Sequence, residues 1–141
     1  MKVLIDTNII LDSILEREPF VGAAITLFEM VEREEIQGYI AATTVTNIFY
    51  IVRKAQGRES ALQAIDRILI GFKICPVNHS TIAEALNSNL KDFEDGIQLA
   101  CATLNQLDAI VTRDISDFLG ISLPVLSIPQ LQIRLSQLGE C

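Results

Sequence analysis

Lys2-Val3-Leu4-Ile5-Asp6-Thr7-Asn8-Ile9-Ile10-Leu11-Asp12 is the stretch whose reading decides the fold. A near-continuous apolar run ends in a carboxylate, and apolar residues at helical spacing begin at once behind it. This is a strand feeding straight into a helix, with Asp6 at the junction. Strands covered on both faces of a parallel sheet are apolar throughout rather than alternating. Open α/β sheets bind ligands at the carboxyl ends of such strands, where Asp6 falls. Two readings of Asp6 stand side by side: N-cap of the helix that follows, or functional carboxylate. An ionised aspartate there, with no Lys or Arg beside it in sequence, needs a cation or hydrogen bonds to offset its desolvation.

Working outward, the apolar runs at residues 38–41, 73–77, 108–112 and 123–126 read as further strands. Helical patterns lie between them. One runs from Val21 through Phe28 and Val31 to about Glu35. A second includes Val45, Ile48 and Val52 and ends near Gly57. A third, from Ala61 to Leu69, stops at Gly71. A fourth begins at Ser80 or Thr81, where Thr81 and Glu84 have capping-box spacing. A fifth runs from about Phe93 to Gln106. The tail at 128–138 reads as a last amphipathic helix, and the residues after it are expected to fray. The alternation predicts a three-layer α/β/α sandwich around a mostly parallel five-stranded sheet, with right-handed crossovers. No repeat, linker or boundary divides the 141 residues, so 1–141 is expected to be a single domain.

Half of the residues are hydrophobic, which excludes a disordered chain. No apolar stretch approaches the roughly 18–20 residues that span a bilayer, and the start, Lys2 followed by a strand and an aspartate, is not expected to act as a signal peptide. Cys75, Cys101 and Cys141 show no paired spacing, so a reduced, cytoplasmic setting is expected. The net charge of -7 argues against non-specific nucleic-acid binding through a basic surface. Carboxylates gathered around a divalent cation are neutralised locally, however, and escape that argument. Glu29, Glu32, Glu34 and Glu35 read as one solvated helix face.

The Asp6 arrangement recurs downstream. Ala109-Ile110-Val111-Thr112-Arg113-Asp114 again runs an apolar strand out into an acid, with Asp117 three residues on. Asp92-Phe93-Glu94-Asp95 opens a helix. Asp92 is placed to cap it, and Asp95 falls in the first turn, where the helix dipole favours the ionised form. Asp6, Asp95 and Asp114 are expected to converge at one end of the sheet. Close like charges repel unless a cation holds them. Hard oxygen donors of this kind suit Mg²⁺ or Mn²⁺ rather than zinc, and the lone His79 has no histidine or cysteine partner at ligand spacing. Neither a glycine-rich phosphate loop nor a nucleophile elbow is present.

These residues carry a family resemblance. Asp6-Thr7-Asn8 after the first strand, Asp92-Phe93-Glu94-Asp95 opening a helix, and Thr112-Arg113-Asp114 with Asp117-Phe118 follow one another as in the PIN-domain family. The chain is similar to the ribonuclease toxins of bacterial toxin–antitoxin pairs in particular. The resemblance implies a parallel sheet flanked by helices, a Mg²⁺- or Mn²⁺-dependent endoribonuclease acting on RNA, an antitoxin partner and a homodimer. Position by position, Asp6, Asp95 and Asp114 match the metal-binding acids, and Asn8 and Thr112 the polar residues beside them. Family members usually carry a glutamate in the helix after the second strand, and Asn47 stands at the matching place here. An asparagine carbonyl can ligate Mg²⁺ or orient a water but adds no charge.

The expected site is therefore Asp6, Asp95 and Asp114 as ligands, with Asp92 and Asp117 as further acids and Asn8 and Asn47 orienting waters. Thr112, Arg113, Arg53 and Lys54 are the expected contacts to phosphate. Two other readings are open. One is a PIN-like binding module that has lost catalysis. The other is a phosphoryl-transfer protein using Asp6 as acceptor, for which the chain shows no strand-end lysine and no second acid at Asn8.

Overall fold

The structure, a computed structural model, describes residues 1–139. Five strands form one sheet: β1 (Lys2–Ile5), β2 (Gln37–Ala41), β3 (Lys73–Cys75), β4 (Ala109–Val111) and β5 (Val125–Leu126). Their order is β3-β2-β1-β4-β5, and every neighbouring pair is parallel. Among the described residues, seven α-helices flank it: α1 (Thr7–Ile14), α2 (Val21–Glu32), α3 (Ala42–Gln56), α4 (Arg58–Gly71), α5 (His79–Leu86), α6 (Phe93–Leu104) and α7 (Ile128–Gly139). A short 3-10 turn, Ile115–Phe118, follows β4. The α/β/α architecture is the one the apolar runs predict. No helix among the described residues is long and apolar enough to cross a membrane.

The central strand shows why the runs are unbroken. Val3 and Ile5 bury into the apolar layer with Ile9, Ile10, Leu27, Ile48 and Leu131. Leu4, between them, points the other way, against Ala41, Ile97, Cys101, Ile110 and Phe118. Both faces are covered from Val3 to Ile5, so none of these positions can be polar, and each fully buried Leu or Ile contributes about 1.5–3 kcal/mol. Cys75 and Cys101 are buried free thiols; Glu29, Glu32, Glu34 and Glu35 are solvent-exposed as expected, but only Glu29 and Glu32 lie on the helix, Glu34 and Glu35 falling in the turn after it.

Register fixes the site. Leu4 lies beside Ile110 and Ile5 beside Val111, and Asp6 continues the ladder by donating its N–H to the Val111 carbonyl at 3.0 Å. Asp6 and Thr112 therefore leave the sheet side by side.

Several boundaries differ from the sequence reading. The edge runs 73–77 and 123–126 yield only three and two residues of strand, because Pro76 and Pro124 cannot donate to a ladder. The capping box of α5 is set by Asn78, which accepts from Thr81 N–H while the Thr81 hydroxyl accepts from Asn78 N–H; the Thr81–Glu84 pairing does not form. Helix α2 ends at Glu32, and α6 at Leu104. The expected fraying concerns residues 140 and 141, which lie outside the described residues.

Helix α6 is held close to α5 at Gly96, where an added Cβ would meet Ser88 Oγ at 2.8 Å and the Ala85 carbonyl at 3.2 Å. Gly96→Ala is expected to cost about 1–3 kcal/mol in urea unfolding, since the backbone of Ala85 cannot step aside cheaply. An unchanged midpoint would show that the helices tolerate the extra separation.

Candidate active site

Four segments meet at the carboxyl edge of the sheet: the start of α1, the first turn of α6, the middle of α3 and the chain leaving β4. They enclose a hollow of about 410 Å³. Asp6, Asn8, Asn47, Asp92, Asp95 and Asp117 all line it, with Glu94 and Thr7. No lysine or arginine does. A second hollow of about 570 Å³ adjoins it, sharing Asp92, Asp95 and Asp117 and adding Lys91.

Asp6 stands at the N-cap position of α1 but makes no side-chain capping bond. Its carboxylate turns into the site instead. Gln98 Nε2 donates to Oδ1 at 3.0 Å, and the Thr112 hydroxyl donates to Oδ2 at 2.8 Å. Burial raises the Asp6 carboxyl above its ordinary range, the bonds from Gln98 and Thr112 pull it back, and the charge of Asp114 raises it again. Thr112, wholly buried, also accepts from the Asp114 N–H at 3.0 Å. Asn8 Nδ2 reaches Asp114 Oδ2 at 3.4 Å. Asp114 thus stands beside the hollow, joined to it through Asn8 and Thr112.

Asp95 departs from the sequence expectation. The dipole of α6 does not keep its carboxyl in the ordinary range; it is pushed up to about 7. Burial is the main cause, followed by the charges of Asp6, Asp92, Asp117 and Glu94. Four neighbouring carboxylates outweigh one helix terminus, which is worth only about 0.3–1 kcal/mol. Asp92 is the N-cap of α6, its Oδ1 accepting from Asp95 N–H at 3.1 Å.

This shift has a pH consequence. Between about pH 4 and 7 the unfolded chain has released the Asp95 proton, whose ordinary value there is 3.8, while the folded chain keeps it. Metal-free stability is therefore expected to fall across that window and to level off above pH 7. Urea unfolding of the parent minus Asp95→Asn isolates the effect. A difference that is flat with pH contradicts it.

The predicted phosphate contacts are not gathered into the hollow. Arg53 and Lys54 lie exposed in the last turn of α3, outside the lining. Arg113 turns to Asp12, donating from Nε at 2.8 Å and Nη2 at 3.4 Å, and its guanidinium lies over the Phe20 ring at 3.9 Å. It also stands 3.5 Å from Asp114. Asp12 is buried and pairs further with Arg17 at 3.7 Å. His79 opens α5 on the surface, away from the site.

Three participants were not singled out by the sequence. Gln98 bridges Asp6 and, at 3.4 Å, Asp95. Glu94 lines the hollow with one oxygen fixed by the Thr7 hydroxyl at 3.0 Å, which in turn contacts the Thr44 hydroxyl at 2.9 Å. Asp12 anchors Arg113. The only signal for Gln98 was a polar residue inside the apolar run Gly96–Ala102 of α6.

Among the described residues no three Asp, Glu, His or Cys side chains already stand as a ready-made metal cage. The donor chemistry nonetheless fits a hard cation. The donors are oxygens, two of the acids titrate high because of their burial and the charges of neighbouring acids, and no basic side chain lines the hollow to neutralise them.

An acidic hollow at the strand ends of an all-parallel five-stranded sheet defines a class. The chain belongs to the PIN-domain family, whose family model matches residues 2–116. Solved structures of similar fold include a toxin–antitoxin complex from Klebsiella pneumoniae, with 25% identity and a TM-score of 0.68, covering 89% of this chain and 97% of that one. VapBC2 from Rickettsia felis, bound to a promoter DNA fragment, has 16% identity and a TM-score of 0.68, with 90% and 98% covered. Mycobacterium tuberculosis VapC20, a sarcin-ricin-loop-cleaving toxin, has 10% identity and a TM-score of 0.62, with 77% and 86% covered. No match was found among curated proteins.

Proposed function

We propose that this chain is a divalent-metal-dependent endoribonuclease acting as the toxin of a toxin–antitoxin pair. The observation that carries the reading is the acidic hollow itself: Asp6 and Asp95 face it, Asp114 adjoins it, and no cationic side chain lines it. Family membership and the toxin–antitoxin structures of the same fold support it.

In this account Asp6, Asp95 and Asp114 hold Mg²⁺ or Mn²⁺, with Asp92 and Asp117 on the rim. When bound, the ion activates water and neutralises charge on the scissile phosphate. The chain's own groups do the positioning. Thr112 and Gln98 fix both oxygens of Asp6, while Asn8 and the Asp114 N–H bond to Thr112 set Asp114. Asn47, half-buried in α3, presents a neutral amide to the same space. Arg113 is held by Asp12, so RNA phosphates depend on the ion and on the exposed Arg53 and Lys54 at the end of α3.

An antitoxin segment is the partner this reading implies. For partner or homodimer contact, Phe20 and Ile25 are exposed at the start of α2 and within it, but the larger exposed apolar set is on α3 and α4, with Tyr50, Leu62, Leu69 and Ile70. One observation favours a second reading, a PIN-like module that binds RNA or protein without cutting it. Asn47 brings no charge to the hollow, and the chain carries a net charge of -7. Titrating Mg²⁺ and Mn²⁺ into purified protein with single-stranded RNA separates the two. Metal-dependent cleavage supports the nuclease, and intact RNA at every concentration leaves only the binder.

A further inference from the structure

Gln98 lies on α6 one turn beyond Asp95 and is only 1% exposed. Its Nε2 donates to Asp6 Oδ1 at 3.0 Å and to Asp95 Oδ1 at 3.4 Å, while its own Oε1 is buried without a partner. An unpaired buried carbonyl is costly. Turning the amide over would be worse, because it would set Oε1 against two carboxylates. The amide is therefore oriented by the acids, at the expense of its own oxygen.

Among the described residues, no cationic side chain bonds to Asp6 or Asp95: Arg113 is held by Asp12 and Asp114, and Lys91 lines only the adjoining hollow. No lysine or arginine lines the hollow, and the Thr112 hydroxyl serves Asp6 alone of the pair. One neutral amide is the group that links Asp6 to Asp95 and offsets their repulsion.

We propose that Gln98 is a positioning residue that stands in for the cation, holding Asp6 and Asp95 together in the metal-free protein and becoming dispensable once a divalent ion links them. The inference rests on the metal-binding reading above. It has a consequence opposite to that of an ordinary structural glutamine. The amide stabilises the metal-free state more than the loaded one, so linkage requires that removing it tightens metal binding. It also removes an unpaired buried oxygen, which the loaded protein gains nothing by keeping.

The test compares the parent, Gln98→Met, which keeps the length but cannot donate, and Gln98→Glu, which keeps the shape but adds charge. Mn²⁺ alone is the probe. Affinity is read by titration calorimetry, and thermal unfolding is read in chelator and at saturating Mn²⁺. Gln98→Met is expected to unfold at lower temperature than the parent in chelator, to recover that deficit in Mn²⁺, and to bind Mn²⁺ roughly five- to tenfold tighter, the scale of one ordinary intramolecular hydrogen bond. Gln98→Glu is expected to show both changes more strongly. An equal deficit in both buffers, or weaker Mn²⁺ binding in both variants, overturns the proposal. A Gln98→Met chain that folds only with Mn²⁺ supports it; if that variant folds in neither buffer, the affinity of Gln98→Glu against the parent decides. No Mn²⁺ binding by the parent overturns the metal reading itself, whereas parent binding without tightening in the variants overturns only the role of Gln98.

Discussion

Asp6→Asn protein is expected to fold as the parent does while Mn²⁺-dependent RNA cleavage drops by about 10²-fold or more. The separation follows from burial. Asp6 is 5% exposed and its carboxyl is raised chiefly by desolvation, so its charge is a burden to the metal-free fold rather than a support. An asparagine of the same shape removes that burden. It can still accept from one of Gln98 and Thr112, so the end of β1 stays in place. What it removes is the anionic oxygen at the centre of the hollow. Circular dichroism and urea unfolding should match or exceed the parent, and Mn²⁺ affinity should fall along with cleavage. A variant that retains full cleavage sinks the assignment of Asp6.

Arg113→Met is the change with the largest expected effect on stability, about 3 kcal/mol. The side chain of Asp12 is 2% exposed and relies on Arg113 at 2.8 Å, with Arg17 a poorer partner at 3.7 Å. Removing Arg113 leaves a buried carboxylate nearly alone, and it also strips the cover from Phe20. The remedy identifies the cause: adding Asp12→Asn to Arg113→Met should return a large part of the loss, because the orphaned charge is gone. Urea midpoints of the single and double variants measure this. Additive losses would mean that the two side chains contribute separately. Arg113 lies between Thr112 and Asp114, so its anchorage also fixes the segment that carries both into the site.

What the sequence disclosed and what it hid divide along one physical line. Chain-local signals were readable. The apolar runs of β1 and β4 ending in Asp6 and Asp114 could be strands only if both faces were covered, which is how Val3, Leu4 and Ile5 pack. Asp92 capping α6 follows from its place before Phe93. Contacts across long sequence distances were not readable. Arg113 looks free in sequence because its partner, Asp12, lies 101 residues away and joins it only when β1 and β4 pair. The same closure sets Gln98 against Asp6, 92 positions apart. The raised carboxyl of Asp95 is hidden from the sequence in the same way: the helix dipole is local, whereas the charges of Asp6 and Asp117 arrive through the fold. Asn47 has no acid among its chain neighbours between Glu35 and Glu59, while the structure brings Glu94 into the same hollow from α6.

The most direct measurement is anomalous diffraction from crystals of the parent protein soaked in Mn²⁺. The account predicts a peak in the hollow among the carboxylates of Asp6, Asp95 and Asp114, absent from crystals of the Asp6→Asn variant. Mn²⁺ found only at surface acids such as the Glu29–Glu35 face, or no peak at all in a crystal whose hollow is open to solvent, would contradict it.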